Sequence, residues 1–583
     1  MAIAVTTRGY NNARTGSNLQ ESILSADAVA TKGIRRLFSL PLPGDKRGAE
    51  AQPLVVPGVK LADGSTHEVI YVATMANRVH AFDAETGNQV WVQLLGPPIK
   101  STPDIDSYSI NDNWGVLSTP VIDVGQGTMY VVAWTSPDGS VAKSQHCLYA
   151  IRITDGSIIG QLNLENATYN PGNGLPQLQF RSAARKQRAS LLLTSVAGAP
   201  TVFIGFGSVK ETAATARGWI NACSTNPLKV TAAWASTARG YGGGIWQAGA
   251  GLAADTAGFI YAMTGNGDFD ATTDWGESFV KLSYTQPQGG TAASFSVADW
   301  WTPFSDQIRW PTPSSGGSDP TNKRGYIDSR EWGDMDLGSG GPVLVKSHGL
   351  VLGAGKDGIL FVLDYNQMGR TIPTDLAKGP ASKSNYQKLK SPPIFFTYYP
   401  PGWDPAPADI TTLNNWYANL THHQHGSFVC WERPAGDGGP LLYCWGENGN
   451  LRAWSLQPNG TVQYLAGGAE QASARSPVSG TQHGGMPGGM LTLSANGNKG
   501  NTAVVWALIP YFDANTTVSL GRLLAYDATR FGTYADNSKQ IPVLWDSEKW
   551  NLPFSYNKFN VPVVANGRLI VPTYDGRIDI YGL

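Results

Sequence analysis

The chain has 583 residues, only 15% of them charged, and its 43 lysines and arginines nearly balance 44 aspartates and glutamates. A net charge of −1 provides no electrostatic footprint for nucleic acid or an acidic lipid surface, so neither partner is expected. No apolar run approaches the ~20 residues of a membrane-spanning helix, and 68 glycines with 19 tryptophans suit an all-β chain with aromatic loops.

In chain order, residues 36–41 (RLFSLP) read as a strand with no partner before it. A unit then begins at 51–56 and is most legible at 69–93, VIYVATMANRVHAFDAETGNQVWVQ. Residues 69–74 form a β-branched and aromatic strand, 75–77 a polar turn, 79–83 the next strand, and 84–87 a second turn leading into a strand at 89–94. Gly87 supplies a positive φ there, and Asp83 and Thr86 can bond turn amides. Trp91 is placed to lie over the neighbouring repeat.

The third strand of this unit returns at 148–151, 218–220, 279–282, 358–364, 450–454, 523–527 and 576–581, making eight with 79–83. Each is preceded by an inner strand led by small residues, at 51–56, 118–122, 190–195, 251–255, 340–345, 426–431, 489–494 and 561–565. Such a repeat predicts a single domain, 1–583, folded as an eight-bladed β-propeller of four-stranded blades. The last blade lacks a fourth strand at its own end. Residues 36–41 are therefore expected to close the ring beside 577–581, which pairs both terminal edges. Two long insertions, about 300–331 and 371–419, are too extended to be hairpins. Trp91, Trp234, Trp454 and Trp545 are expected on or between blades.

The four cysteines show no zinc spacing. In a hairpin over 427–445 centred on Asp437, Cys430 and Cys444 would face each other, as a disulfide or as two buried thiols. Four N-x-Ser/Thr sites, at Asn166, Asn419, Asn459 and Asn515, permit secretion. The reading adopted is the mature form of a secreted, monomeric protein.

Function in a propeller is sought at the axial mouth, here the loops 46–51, 104–117, 181–189, 239–250, 333–340, 421–426, 482–488 and 555–560. Thr421-His422-His423-Gln424-His425 places His423 and His425 on one side of an extended segment. With His483 from the next blade they make a three-nitrogen metal site or an acid–base cluster. Asp334 and Asp336 bring two carboxylates, able to share a proton or hold a cation. Arg181 and Arg188 belong to the one dense basic run and suit an anionic group. Trp114, Trp246, Gln247, Trp332 and Asp112 complete the candidate substrate-binding set. Gly353-Ala354-Gly355-Lys356-Asp357-Gly358 is a hairpin turn and not a phosphate loop, because no helix follows it.

The stretch AFDAETGNQVW resembles the tryptophan-docking repeat of the pyrroloquinoline quinone (PQQ) dehydrogenase-like propellers, whose members have eight blades. TTRGYNNARTGSNLQ, GGGIWQAGAGLAADTAGFIYAMTGNGDFD and WGDMDLGSGGPVLV are also similar to a group of bacterial and fungal extracellular quinoprotein-like proteins. In the dehydrogenases the resemblance implies a quinone held with Ca²⁺ by carboxylate and amide oxygens, beside a catalytic Asp, between an indole floor and two adjacent disulfide-bonded cysteines. Trp246 or Trp332 would be that floor, and Asp112, Asp334 or Asp336 the carboxylates. No adjacent cysteines and no haem-attachment CxxCH occur, so PQQ is not the expected cofactor and a divalent metal is the candidate. The leading expectation is a lyase or hydrolase acting on a carbohydrate or polyhydroxylated small molecule by His/Asp chemistry. A PQQ- and Ca²⁺-dependent alcohol or sugar dehydrogenase and a non-catalytic glycan- or protein-binding propeller are the alternatives.

Overall fold

The computed structural model describes residues 2–583 except 104, 212, 288–291, 304–335, 357, 371–388, 392–393, 396–422, 427 and 476–483. Eight antiparallel sheets stand around an axis as propeller blades. Blade 1 runs Leu54–Lys60, Thr66–Ala73, Arg78–Asp83 and Gln89–Leu94 from the axis outward. The inner strands of blades 2 to 8 are Val121–Asp123, Leu192–Val196, Ala253–Ala254, Val343–Val345, Val429–Trp431, Met490–Ser494 and Val563–Ala565. Each falls within or against the segment expected for it. Blade 8 is closed by Arg35–Pro41, which pairs antiparallel with Arg577–Gly582, as the unpartnered strand near the N-terminus predicts. Most of the two insertions lies outside the described residues. No helix of the described residues is long and apolar enough to cross a membrane.

The blades cohere because their strands are apolar on both faces. Side chains alternate across a strand, and a blade has a neighbour on each side. Thus Val429 faces the gap shared with blade 7 and Cys430 the gap shared with blade 5. Val563 and Val564 likewise divide between the gaps toward blades 1 and 7. Eight apolar clusters fill the eight gaps in this way.

The 83–91 motif stitches blade 1 to blade 2. Asp83 Oδ1 accepts from the backbone N–H groups of Glu85 and Thr86 and from the Thr86 hydroxyl. Gly87 adopts φ +75°. The Trp91 indole donates to the carbonyl of Ile153 at 3.1 Å and covers Gly156, where a Cβ would strike the ring. Trp234, Trp454 and Trp545 are buried in the gaps, as their sequence context predicts.

Residues 5–18, for which the sequence offered no structural role, coil across the axis and bond to the inner strand of every blade. Val5 exchanges both backbone bonds with Val55, and the carbonyl of Thr6 accepts from Ile122. The carbonyls of Asn12, Ala13, Thr15 and Gly16 accept from Ala254, Leu344, Cys430 and Leu493. Asn12 and Asn18 donate to the carbonyls of Leu193 and Val564. At the centre Arg14, 2% exposed, donates to the carbonyls of Leu252, Leu191 and Arg8 and to the Thr7 hydroxyl. Burial lowers its pKa to about 9. The tight coil needs left-handed backbone at Gly9, Tyr10, Arg14 and Gly16.

The hairpin of blade 6 corrects one expectation. Its turn carries a short 3-10 turn at Ala435–Asp437 followed by left-handed Gly438 and Gly439, so pairing centres one residue earlier than Asp437. Cys430 lies opposite Leu442 and not Cys444. All four cysteines are buried free thiols.

Arg14→Ala strands three carbonyls and a hydroxyl at the centre of the plug, and is expected to lower unfolding free energy by about 3–5 kcal/mol in denaturant titration, with no rescue by lysine. A change below about 1 kcal/mol would show that the plug contributes little to stability. Denatured without reductant, the protein should expose four titratable thiols per chain; two would restore the cross-strand bridge.

Candidate functional site

The plug occupies the axis at the level of the inner strands, and the loops leading into those strands surround a cavity of about 450 Å³. Trp114 comes from the loop before blade 2, Lys186 and Arg188 from that before blade 3, and Trp246 from that before blade 4. Asp336 and His425 precede blades 5 and 6, and Lys558 and Phe559 precede blade 8. Lys356 joins them from the Gly353–Gly358 hairpin of blade 5.

Four partly buried cations share this space, each against an aromatic face or a carboxylate. The Lys186 ammonium sits 3.8 Å from the Trp114 ring centre and donates to the carbonyl of Ile105. The Arg188 guanidinium lies 4.6 Å from the Phe559 ring centre and 5.9 Å from that of Trp246, with Glu50 at 3.8 Å. Lys558 donates to Asn515 Oδ1 at 3.1 Å. Burial lowers the pKa of all three, that of Lys558 to about 8. The Trp114 and Trp246 indole N–H groups are buried with no protein acceptor.

Asp336, 3% exposed, is held on both oxygens. Oδ1 accepts from the Asn266 backbone N–H at 2.9 Å and Oδ2 pairs with Lys356 Nζ at 2.7 Å. Gly265 is required beside it, since a Cβ there would occupy the place of Oδ1.

On the blade 6 side, His425 Nε2 lies 2.9 Å from Glu447 Oε1 and His423 Nδ1 3.5 Å from Glu447 Oε2. Burial, then Lys356 and Lys558, holds His425 well below its ordinary pKa, so the ring is neutral. Glu447 belongs to the turn between Leu441–Cys444 and Asn450–Leu456, and its N–H donates to the carbonyl of His423.

The structure therefore brings together Trp114, Arg188, Trp246, Asp336 and His425, with His423 joined to His425 through Glu447. Arg181 is elsewhere: its half-exposed guanidinium bonds Glu165, Asn166 and Gln179 on the outside of the ring. Asp112 is an exposed partner of Lys46. Gln247 is fully buried and does not line the cavity. His483, Asp334 and Trp332 lie outside the described residues. Glu447, Lys356 and Lys558 were not among the expected site residues. Lys356 and Glu447 sit in second-to-third-strand turns within a blade, not in the loops between blades.

A family model described as outer membrane protein assembly factor BamB matches residues 55–265. Among solved structures, the quinohemoprotein alcohol dehydrogenase ADHIIG of Pseudomonas putida HK5 is 14% identical with a TM-score of 0.52, covering 100% of this chain and 80% of that one. A europium-containing methanol dehydrogenase is 12% identical with a TM-score of 0.51, covering 100% and 98%. The chain has the fold of an eight-bladed β-propeller. No curated protein matches it. At these identities the likeness speaks to fold alone. What distinguishes this propeller is the chemistry of its own axial cavity.

Burial disfavours the charged form of Lys558, so its proton is lost early and the cavity gives up one positive charge as pH rises through about 8. Competitive acetylation read by mass spectrometry should give Lys558 a titration midpoint near 8. A midpoint at or above the ordinary lysine value of about 10.4 would contradict this.

Proposed function

We propose that the axial cavity holds a planar, anionic cofactor of the quinone type and that the protein oxidises an alcohol or sugar hydroxyl there. The observation that carries this reading is the convergence of Trp246 with Lys186, Arg188, Lys356 and Lys558 in one cavity. PQQ is a flat tricarboxylate. Trp246 would offer it an apolar face, and Arg188 and Lys558 would meet its carboxylates. When bound, such a quinone accepts the two electrons of the oxidation. Asp336 is the cavity carboxylate that would take a hydroxyl proton in this reading; the Asn266 N–H fixes its Oδ1 and Lys356 orients it through Oδ2.

The calcium ion that accompanies the quinone in the resembled dehydrogenases does not fit the described residues. Calcium takes about six to eight oxygen ligands. Asp336 is already engaged by Lys356, and the group of His, Cys, Asp or Glu side chains close enough to share an ion contains two imidazoles. Nor is there a pair of adjacent cysteines to cover the quinone. The acid–base reading, a carbohydrate lyase or hydrolase working through His423, His425 and Asp336, is not supported. His425 is tied to Glu447, and Asp336 has the Lys356 ammonium beside it and not the second carboxylate of a proton-sharing pair.

Titration of the full chain with PQQ, followed by tryptophan fluorescence with and without Ca²⁺, should show saturable quenching with a Kd on the order of 1 μM or below. Trp246→Ala and Arg188→Gln should each weaken it by about tenfold or more. The loaded protein should then reduce an electron-accepting dye with one of a panel of alcohols and sugars. Absence of both quenching and dye reduction would sink the reading and leave the cavity to a binding role.

A further inference from the structure

The geometry points to a transition-metal site built by His423, His425 and Glu447 at the wall of the axial cavity. This inference stands apart from the quinone reading, since it rests on the donor set of blade 6 alone. One ligand atom from each of His423, His425 and Glu447 lies within 4.8 Å of the other two. The two imidazole–carboxylate separations are 2.9 and 3.5 Å. Ligands about 2.0–2.2 Å from a tetrahedral ion stand about 3.4 Å apart, so capture needs shifts of only tenths of an ångström along these two edges.

The donors are also held in place. The Gln424 N–H between the two histidines donates to the carbonyl of Gly355, and its carbonyl accepts from Ser339 Oγ at 2.7 Å. The Glu447 N–H donates to the carbonyl of His423, which ties the turn to the loop. Gln424 itself is fastened by Gly426 and by the Cys444 thiol. Such backing fixes ligand orientation and strengthens a site. His425 and Glu447 are each 2% exposed, so little water competes for their donor atoms.

Two imidazoles and one carboxylate select a first-row dication such as Zn²⁺, Co²⁺ or Ni²⁺ over Ca²⁺ or Mg²⁺, which prefer oxygen. Three protein ligands leave a fourth position, and His425 lines the cavity, so that position opens toward whatever occupies it. Lys356, Lys558 and Arg188 act on His425 from the cavity side, with Asp336 opposing them. Their positive charge weakens the ion's affinity and favours an anionic oxygen as the fourth ligand.

The test is titration of chelator-treated full-length protein with Co²⁺, followed by visible absorption and calorimetry, with Ca²⁺ as competitor. One equivalent of Co²⁺ should bind with the intense visible bands of a four-coordinate ion, undisturbed by a hundredfold excess of Ca²⁺. His423→Ala and Glu447→Gln should each weaken binding about 100-fold or more. His423 is the less buried ligand, and circular dichroism checks that both variants are folded. Failure of folded wild-type protein to bind Co²⁺, unchanged affinity in folded His423→Ala, or displacement by Ca²⁺ would each overturn the assignment. PQQ binding can succeed or fail independently of any of these results.

Discussion

Everything in this propeller depends on how the backbone at its axis finds partners. Eight inner strands converge, and each presents one edge of N–H and C=O groups toward the centre. A buried group left unpaired there costs about 1–3 kcal/mol, and eight strands multiply the problem. Residues 5–18 resolve it by coiling across the axis and bonding to all eight blades, with the Arg14 guanidinium collecting the carbonyls that backbone donors do not reach. The same coil reaches the site, where Arg8 donates to the carbonyl of Phe559, a residue that lines the axial cavity.

Between the blades the constraint is different. Each sheet is buried on both faces, so its strands carry apolar residues at successive positions, and neighbours in sequence pack into different gaps. Trp91 adds a specific dock by combining a ring contact over Gly156 with a hydrogen bond to Ile153. Ring closure by Arg35–Pro41 joins the first blade to the last through Phe38, which packs against Gly87, and leaves neither blade with an open edge.

The cavity concentrates charge that a protein interior ordinarily avoids. Lys186, Arg188 and Lys558 are held near aromatic rings or neutral acceptors, while Lys356 faces a carboxylate fixed by a backbone amide. Lowered basicity is the signature of that strain. The proposed quinone would set its carboxylates among these groups. The paired imidazoles and carboxylate of blade 6 add a second kind of chemistry at the same wall.

The sequence by itself determined the number of blades, the position of every inner and third strand and the strand that closes the ring. Those features are written in local periodicity and turn residues, which repeat eight times and reinforce one another. It also located the axial mouth, and with it Trp114, Arg188, Trp246, Asp336, His423 and His425, because loops between blades must lie there. Only the tertiary structure decided which side chains turn inward. Arg181 and Arg188 belong to one basic run, yet one bonds Glu165 on the outer surface and the other stacks on Phe559 in the cavity. Glu447 and Lys356 come from hairpin turns that look unremarkable in sequence and reach the site because, in an antiparallel blade, the second-to-third-strand turn lies at the same end as the loop entering the inner strand. The role of residues 5–18 was equally hidden, since a coil that answers eight distant strands has no periodicity of its own. Cys430 shows the limit most plainly: a turn centre displaced by one residue moves the strand pairing by two, and only the folded hairpin fixes that register.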